Sequence, residues 1–130
     1  MPAKKYKIAI VEDDSMLLKY LSSSLKAEPN FEVFTALNGE EGEKMILDCK
    51  PDIVLLDIIM PKKNGFEVLE TVRKNPDMKN TPIIMLSNLG QASDKDQAKK
   101  LGATDYWVKV DMEVKDIVQR VKTFLGVATQ

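Results

Sequence analysis

Short apolar runs alternate with helical patterns along this chain, and each run ends on a polar residue. Residues 8–11 and 83–86 and the segment Ile53–Leu56 contain no polar side chain, the pattern of strands buried on both faces. Phe31–Ala36 reads as a strand from its aromatic and β-branched content, and Asp105–Val108 as the last one. Between them, Leu17, Leu18, Leu21 and Leu25 fall at helical spacing. Asp14 or Ser15 is placed to cap that helix, and Pro29-Asn30 ends it. Asn38-Gly39 marks a turn before a short helix over 40–49, whose acids lie where the helix dipole favours them. Pro51 breaks the chain ahead of the central strand. Asn64 with Glu67 forms a capping-box pattern that opens a helix carrying Phe66, Leu69 and Val72 on one face. Residues 75–82 read as a loop. A polar helix over 91–101 closes at Gly102. Asp111 is expected to cap the final helix, with Val114, Ile117, Val118, Val121 and Leu125 inward and Gly126 ending it.

This is a strand followed by a helix, five times over. Buried strands alternating with helices imply a parallel sheet covered on both faces. Right-handed crossovers make it doubly wound, and the five-stranded order 2-1-3-4-5 is the common solution at this size. The expectation is a flavodoxin-like α/β fold. It forms one domain over residues 1–130 with its core at about 6–126, and leaves no room for an output domain.

Composition narrows the chemistry. The 130 residues are 44% hydrophobic and 30% charged, with a net charge of -1, so nothing recommends the surface to nucleic acid or to an anionic membrane. The single cysteine, Cys49, excludes an internal disulfide and fits a reducing cytoplasm; it reads as a small buried hydrophobe late in a helix. The basic start is followed by an apolar run too short for a signal peptide or a membrane span. No histidine is present, which excludes imidazole bases and histidine-ligated zinc.

In a doubly wound sheet the carboxyl ends of the strands share one edge, and ligands bind where the strand order reverses. That edge collects Glu12, Asp13 and Asp14 from strand 1, Asp57 from strand 3, Ser87 from strand 4 and Lys109 from strand 5. Singly, each is an ordinary turn, cap or solvated residue. Together they place clustered carboxylates opposite one base. Their repulsion is relieved either by protonation of a member or by a hard cation. Magnesium suits such a site, because it takes one or two carboxylates and keeps its other positions for water and phosphate. An aspartate beside it is a candidate nucleophile toward phosphorus, with Lys109 neutralising the transferring oxygens and Ser87 donating to another.

These segments resemble the receiver domain of two-component response regulators, chemotaxis receivers included. The resemblance rests on Ile8-Ala-Ile-Val-Glu-Asp-Asp14, Asp52-Ile-Val-Leu-Leu-Asp57 with Met60-Pro61 and Gly65, Pro82-Ile-Ile-Met-Leu-Ser87, and Gly102-Ala-Thr-Asp-Tyr106-Trp-Val-Lys109. It implies a signalling switch rather than a metabolic enzyme, catalysing only its own phosphorylation and autodephosphorylation. Asp57 would be the phosphoacceptor, charged by a sensor histidine kinase or a His-phosphotransfer protein. Asp13 and Asp57 would bind Mg2+ directly, Glu12 through water, and the carbonyl of Ile59 would be a further ligand. Ser87 would move toward the phosphoryl group, Lys109 would contact it, and Tyr106 would be the rotamer switch. The face made by helix 4, strand 5 and helix 5 would change, with residues 90–93 as hinge, and a downstream protein or output domain would read it. Direct nucleic-acid contact and membrane insertion are not expected.

Two positions depart from the family's habit. Val110 stands where proline usually follows the lysine, which puts the conformation of that loop in question. Trp107 replaces a smaller aliphatic and is either a core residue or an enlargement of the partner face. Three other readings fit the chain less well. A haloacid-dehalogenase-type phosphatase needs a second acid where Ile59 stands. A flavin carrier needs a phosphate-binding loop where this chain has acids. A receiver degenerated into a binding module would lack some of the competent positions.

Overall fold

The computed structural model describes residues 5–127. Five strands, β1 (Tyr6–Val11), β2 (Phe31–Ala36), β3 (Ile53–Leu56), β4 (Ile83–Ser87) and β5 (Asp105–Val108), alternate with five helices. The helices are α1 (Ser15–Lys26), α2 (Gly39–Cys49), α3 (Gly65–Arg73), α4 (Ala92–Lys100) and α5 (Val114–Leu125). All strand pairs are parallel, in the order β2-β1-β3-β4-β5, as the pattern of buried runs predicts.

The apolar runs are buried on both faces because successive side chains alternate across the sheet. Ile8, Ile10, Ile53, Leu55, Ile84, Leu86 and Trp107 pack with Leu18, Leu21 and Leu25 of α1 and Ile117 and Val121 of α5. Ala9, Val11, Val54, Leu56, Ile83 and Met85 pack on the opposite face with Ile46, Val68, Leu69, Val72 and Ala98. Helix α4 contributes Ala98 as its one buried residue, so the sequence's polar helix is also its least anchored one.

The helix starts follow side-chain chemistry. Of the two candidate caps for α1 it is Asp14 that acts, accepting the amides of Met16 at 3.1 Å and Leu17 at 3.2 Å. Asn64 and Glu67 form the reciprocal capping box on α3. Four expectations are changed or extended. Asp111 does not cap α5: residues Lys109–Asp111 tighten into a 3-10 turn closed by Met112 N–H on the Lys109 carbonyl. The helix therefore opens two residues later, capped at Glu113, whose amide donates to the Asp116 carboxylate at 2.9 Å. On α3 Val68 is added to Leu69 and Val72 in the core, and Phe66 packs half-buried against the same cluster as expected. The loop at 75–82 holds a 3-10 turn over Pro76–Met78 that buries Met78. Cys49 is half-buried at the end of α2 rather than enclosed.

Both departures noted in the sequence have structural answers. There is no cis peptide bond among the described residues, so Lys109-Val110 is trans, and Val110 is exposed. Trp107 is a core residue, 2% exposed, tilted against Phe124 and lying under the Arg120 guanidinium. Its indole N–H donates to Asp105 at 3.0 Å, which satisfies the one polar group that burial would otherwise strand.

Candidate functional site

Strand register brings the acids together. Val11 lies opposite Leu56 in the β1–β3 pairing, so the residues that follow each strand emerge side by side. Two backbone bonds hold this edge: Asp57 N–H to the Val11 carbonyl at 3.0 Å and Glu12 N–H to the Ala36 carbonyl at 3.1 Å. Glu12, Asp13 and Asp57 each offer a carboxylate oxygen within 4.8 Å of the others. Glu12 and Asp57 are buried and Asp13 is exposed.

Lys109 reaches into this group from the end of β5. Its ammonium lies 2.9 Å from Asp57 Oδ2 and also pairs with Glu12 Oε1. The remaining carboxylate oxygens find backbone donors: Asp57 Oδ1 accepts Ile58 N–H at 2.7 Å, and Glu12 Oε2 accepts Asp14 N–H at 3.0 Å. Burial nevertheless dominates at Glu12. Desolvation, helped by the neighbouring Asp57 charge, pushes its pKa up to about 7 against the opposing pull of Lys109 and the Asp14 amide. For Lys109 burial alone would lower the pKa, but its hydrogen bonds to Glu12 and Asp57 and their charges outweigh that and raise it. One cation thus serves two buried carboxylates while a third faces solvent. That donor set is all oxygen, without sulfur or imidazole, and it retains excess negative charge at an open edge. It fits a hard divalent cation of the magnesium type.

The loop after Asp57 is shaped by a glycine. A Cβ at Gly65 would sit 2.0 Å from the Asp57 carbonyl oxygen, so only glycine lets α3 begin this close to the site. Gly65 N–H binds the Ile58 carbonyl at 2.8 Å. Ile59 follows with its side chain exposed, and no described residue donates a hydrogen bond to its carbonyl.

Ser87 ends β4, 1% exposed, with its hydroxyl accepting Leu89 N–H at 3.3 Å. The Tyr106 hydroxyl donates to the Leu89 carbonyl, and its ring packs against the core on the α4 side of the sheet. Burial first, then the Asp94 charge, raises the Tyr106 pKa, so the hydroxyl keeps its proton. The structure therefore gathers Glu12, Asp13, Asp57 and Lys109 at one point, with Ser87 beside them at the end of β4 and Tyr106 on β5 reaching the β4–α4 connection through its hydroxyl. Sequence reasoning missed the Leu89 carbonyl as Tyr106's anchor, since a backbone acceptor leaves no residue-type signal. It also missed the contacts that hold the β3–α3 loop from α2.

A profile of the response regulator receiver domain matches residues 8–122. The phosphate regulon transcriptional regulatory protein PhoB of Rhizobium meliloti is 38% identical over 92% of this chain and 52% of its own length. The chain spans about half the length of the curated relatives it matches. Among solved structures, a CheY-like response regulator receiver domain protein of Methanospirillum hungatei superposes with a TM-score of 0.85 at 27% identity, covering 95% of each chain. A CheX–CheY–BeF3–Mg2+ complex from Borrelia burgdorferi matches with a TM-score of 0.81 at 29% identity, covering 94% of this chain and 90% of that one.

Proposed function

The chain belongs to the response regulator receiver domain family, and from that premise we propose that it is a two-component signalling switch whose phosphoacceptor is Asp57. The observation that carries this reading is the position of Lys109, shared between two buried carboxylates that flank the strand-order reversal. A lysine so placed balances the ground state. It is also within reach of any phosphoryl group that forms on Asp57.

Glu12, Asp13, Asp57 and the Ile59 carbonyl would hold Mg2+. The ion would supply positive charge to the phosphoryl oxygens as they leave the donor. The structural support is the all-oxygen donor set. The Borrelia complex, which contains Mg2+ and BeF3, supports it independently. The chain's own residues do the rest. Ile58 N–H fixes Asp57 Oδ1, leaving Oδ2 on the Lys109 side as the attacking atom. A new bond forms between Oδ2 and phosphorus while the donor's P–N bond breaks. The electron pair leaves on the donor nitrogen of a sensor histidine kinase or His-phosphotransfer protein, and that nitrogen takes a proton from solvent to give neutral imidazole. Lys109 then turns from the carboxylate to a phosphoryl oxygen. Water attack on the acyl phosphate returns the protein to its resting state, so the only reactions it catalyses are on itself.

The phosphoryl group carries roughly −1.5 to −2 of charge and three acceptor oxygens, in place of the single negative charge of the Asp57 carboxylate. Ser87 is drawn toward those oxygens, which frees space beside Tyr106 and shifts residues 90–93, the last of the β4–α4 connection and the first of α4. The sparse anchoring of α4 supports this segment as the mobile one. The α4–β5–α5 face is then what a downstream protein or output domain reads. Residues 1–130 are read as one receiver domain, acting in the cytoplasm, with no direct nucleic-acid contact of its own. None of the described helices is long and apolar enough to cross a membrane.

Incubation with acetyl phosphate and Mg2+, followed by intact mass measurement, tests the assignment. One phosphoryl adduct is expected on the wild type and none on a folded Asp57→Asn variant. An adduct that survives Asp57→Asn would move the phosphate elsewhere, and no adduct on the wild type would end the reading.

A further inference from the structure

The β3–α3 loop that carries Ile59 is held from outside the site. Lys63 Nζ makes a 2.6 Å ion pair with Glu43 of α2, both side chains being largely shielded from solvent. Immediately beside it the start of α2 touches the same loop, with Gly39 N–H on the Pro61 carbonyl at 3.4 Å. The approach is close enough that a Cβ on Gly39 would lie 1.8 Å from the Lys63 carbonyl oxygen. Within the loop Lys62 adopts φ 71°, a left-handed conformation that a lysine does not choose by itself. A strained, exposed loop of this kind keeps one shape only when its surroundings over-determine it.

We infer that the Glu43–Lys63 pair, seated on Gly39, is a clamp that positions the Ile59 carbonyl toward Glu12, Asp13 and Asp57, making Glu43 and Lys63 positioning residues for the cation. The inference rests on the reading of the acid cluster as a Mg2+ site. Two anchors fix the loop between them: Gly65 N–H on the Ile58 carbonyl on the Asp57 side, and the Lys63 clamp on the α2 side. Ile59 lies between the anchors, and its carbonyl takes no hydrogen bond from the described residues. Its direction is therefore set by the loop alone. Releasing one anchor leaves the three carboxylates in place, because these are held by the β1–β3 register and by Lys109. Cation affinity should then fall while the fold persists.

The test compares Glu43→Gln, Lys63→Ala and the charge swap Glu43→Lys with Lys63→Glu. Each is read by Mg2+ titration of backbone amide resonances and by amide hydrogen exchange without Mg2+. Expected for the single variants is about a tenfold weaker Mg2+ affinity, the low end for loss of an outer-shell support. Faster exchange at Lys63 and Gly65 should accompany it, with the rest of the sheet protected as before. The swap should recover both. Unchanged exchange in the single variants would show that the pair holds nothing. Faster exchange with affinity within about twofold of wild type would show a clamp that does not position the carbonyl. Either result overturns the inference while wild-type binding stays intact. Absence of Mg2+ binding by the wild type would instead overturn the reading of the acid cluster and the inference with it.

Discussion

Lys109→Met removes one charge and keeps most of the side chain's bulk, so it isolates the electrostatic role of the lysine. The side chains of Lys109, Glu12 and Asp57 are 13%, 4% and 8% exposed, so water screens them poorly. Without the ammonium, two buried carboxylates face each other with no counter-charge. Removing one partner of a buried pair costs about 3–5 kcal/mol. The low end applies here, because Glu12, already pushed up to about 7, escapes part of the repulsion by taking a proton. The expected loss is therefore about 3 kcal/mol at pH 8. At pH 6 Glu12 is largely protonated in both proteins, and the loss shrinks to about 1 kcal/mol. For a chain of this size the first figure lowers the melting temperature by roughly 10 °C. Mg2+ replaces the missing charge, so saturating Mg2+ should raise the variant's melting temperature by more than it raises the wild type's. Thermal denaturation at both pH values, with and without Mg2+, reads all of this. A variant that melts within about 2 °C of wild type at pH 8, or loses equally at both pH values, would refute the premise that Lys109 balances two buried acids.

Glu12 makes the ion-free protein's stability depend on pH. Its folded pKa is raised from 4.5 to about 7, so the native state binds more protons in that window. Stability should be greatest near pH 4.5 on this account and fall by up to about 3 kcal/mol as pH rises to 7. The companion expectation is that Mg2+ affinity rises from pH 6 to pH 8 with release of a proton, which calorimetric titration in buffers of different ionisation enthalpy would detect. Gly65→Ala should cost about 3 kcal/mol or more in chemical denaturation, because the new methyl meets the Asp57 carbonyl oxygen at 2.0 Å; a loss under about 1 kcal/mol would show that the loop yields freely. Tyr106→Phe removes the donor to the Leu89 carbonyl. It should cost about 1 kcal/mol and speed amide exchange in α4 while leaving acetyl-phosphate uptake by Asp57 intact.

Several readings of the sequence rested on local physics, and these are the ones the structure reproduces. Buried strands announced themselves because both faces had to be apolar, which is why Ile53–Leu56 has the bounds that were expected; Asp105–Val108, exposed at Asp105 and buried only at Trp107, also has the expected bounds. The capping box at Asn64 and Glu67 was legible because its two bonds join residues three apart. Asp111 misled because an aspartate before an amphipathic run looks like a cap whether or not a 3-10 turn intervenes. Met78 was hidden for a related reason: one apolar residue among Asn, Pro, Asp and Lys carries no periodicity, and only the approach of α3 and β4 gives it a core to enter.

What the amino-acid order determined by itself was the succession of strands and helices, the family, and the residue types available at the strand ends. These follow from backbone preference, alternation and short-range hydrogen bonding, all of which act between neighbours in sequence. What only the tertiary structure decided was which groups meet and in what state of charge. Lys109 pairs with Asp57 across 52 residues, and Lys63 with Glu43 across 20. Burial raises Glu12 to about 7 although Lys109 stands beside it. Desolvation and register are properties of the assembled sheet. A carboxylate's pKa, a lysine's partner and the direction of a loop carbonyl do not exist until the strands are side by side.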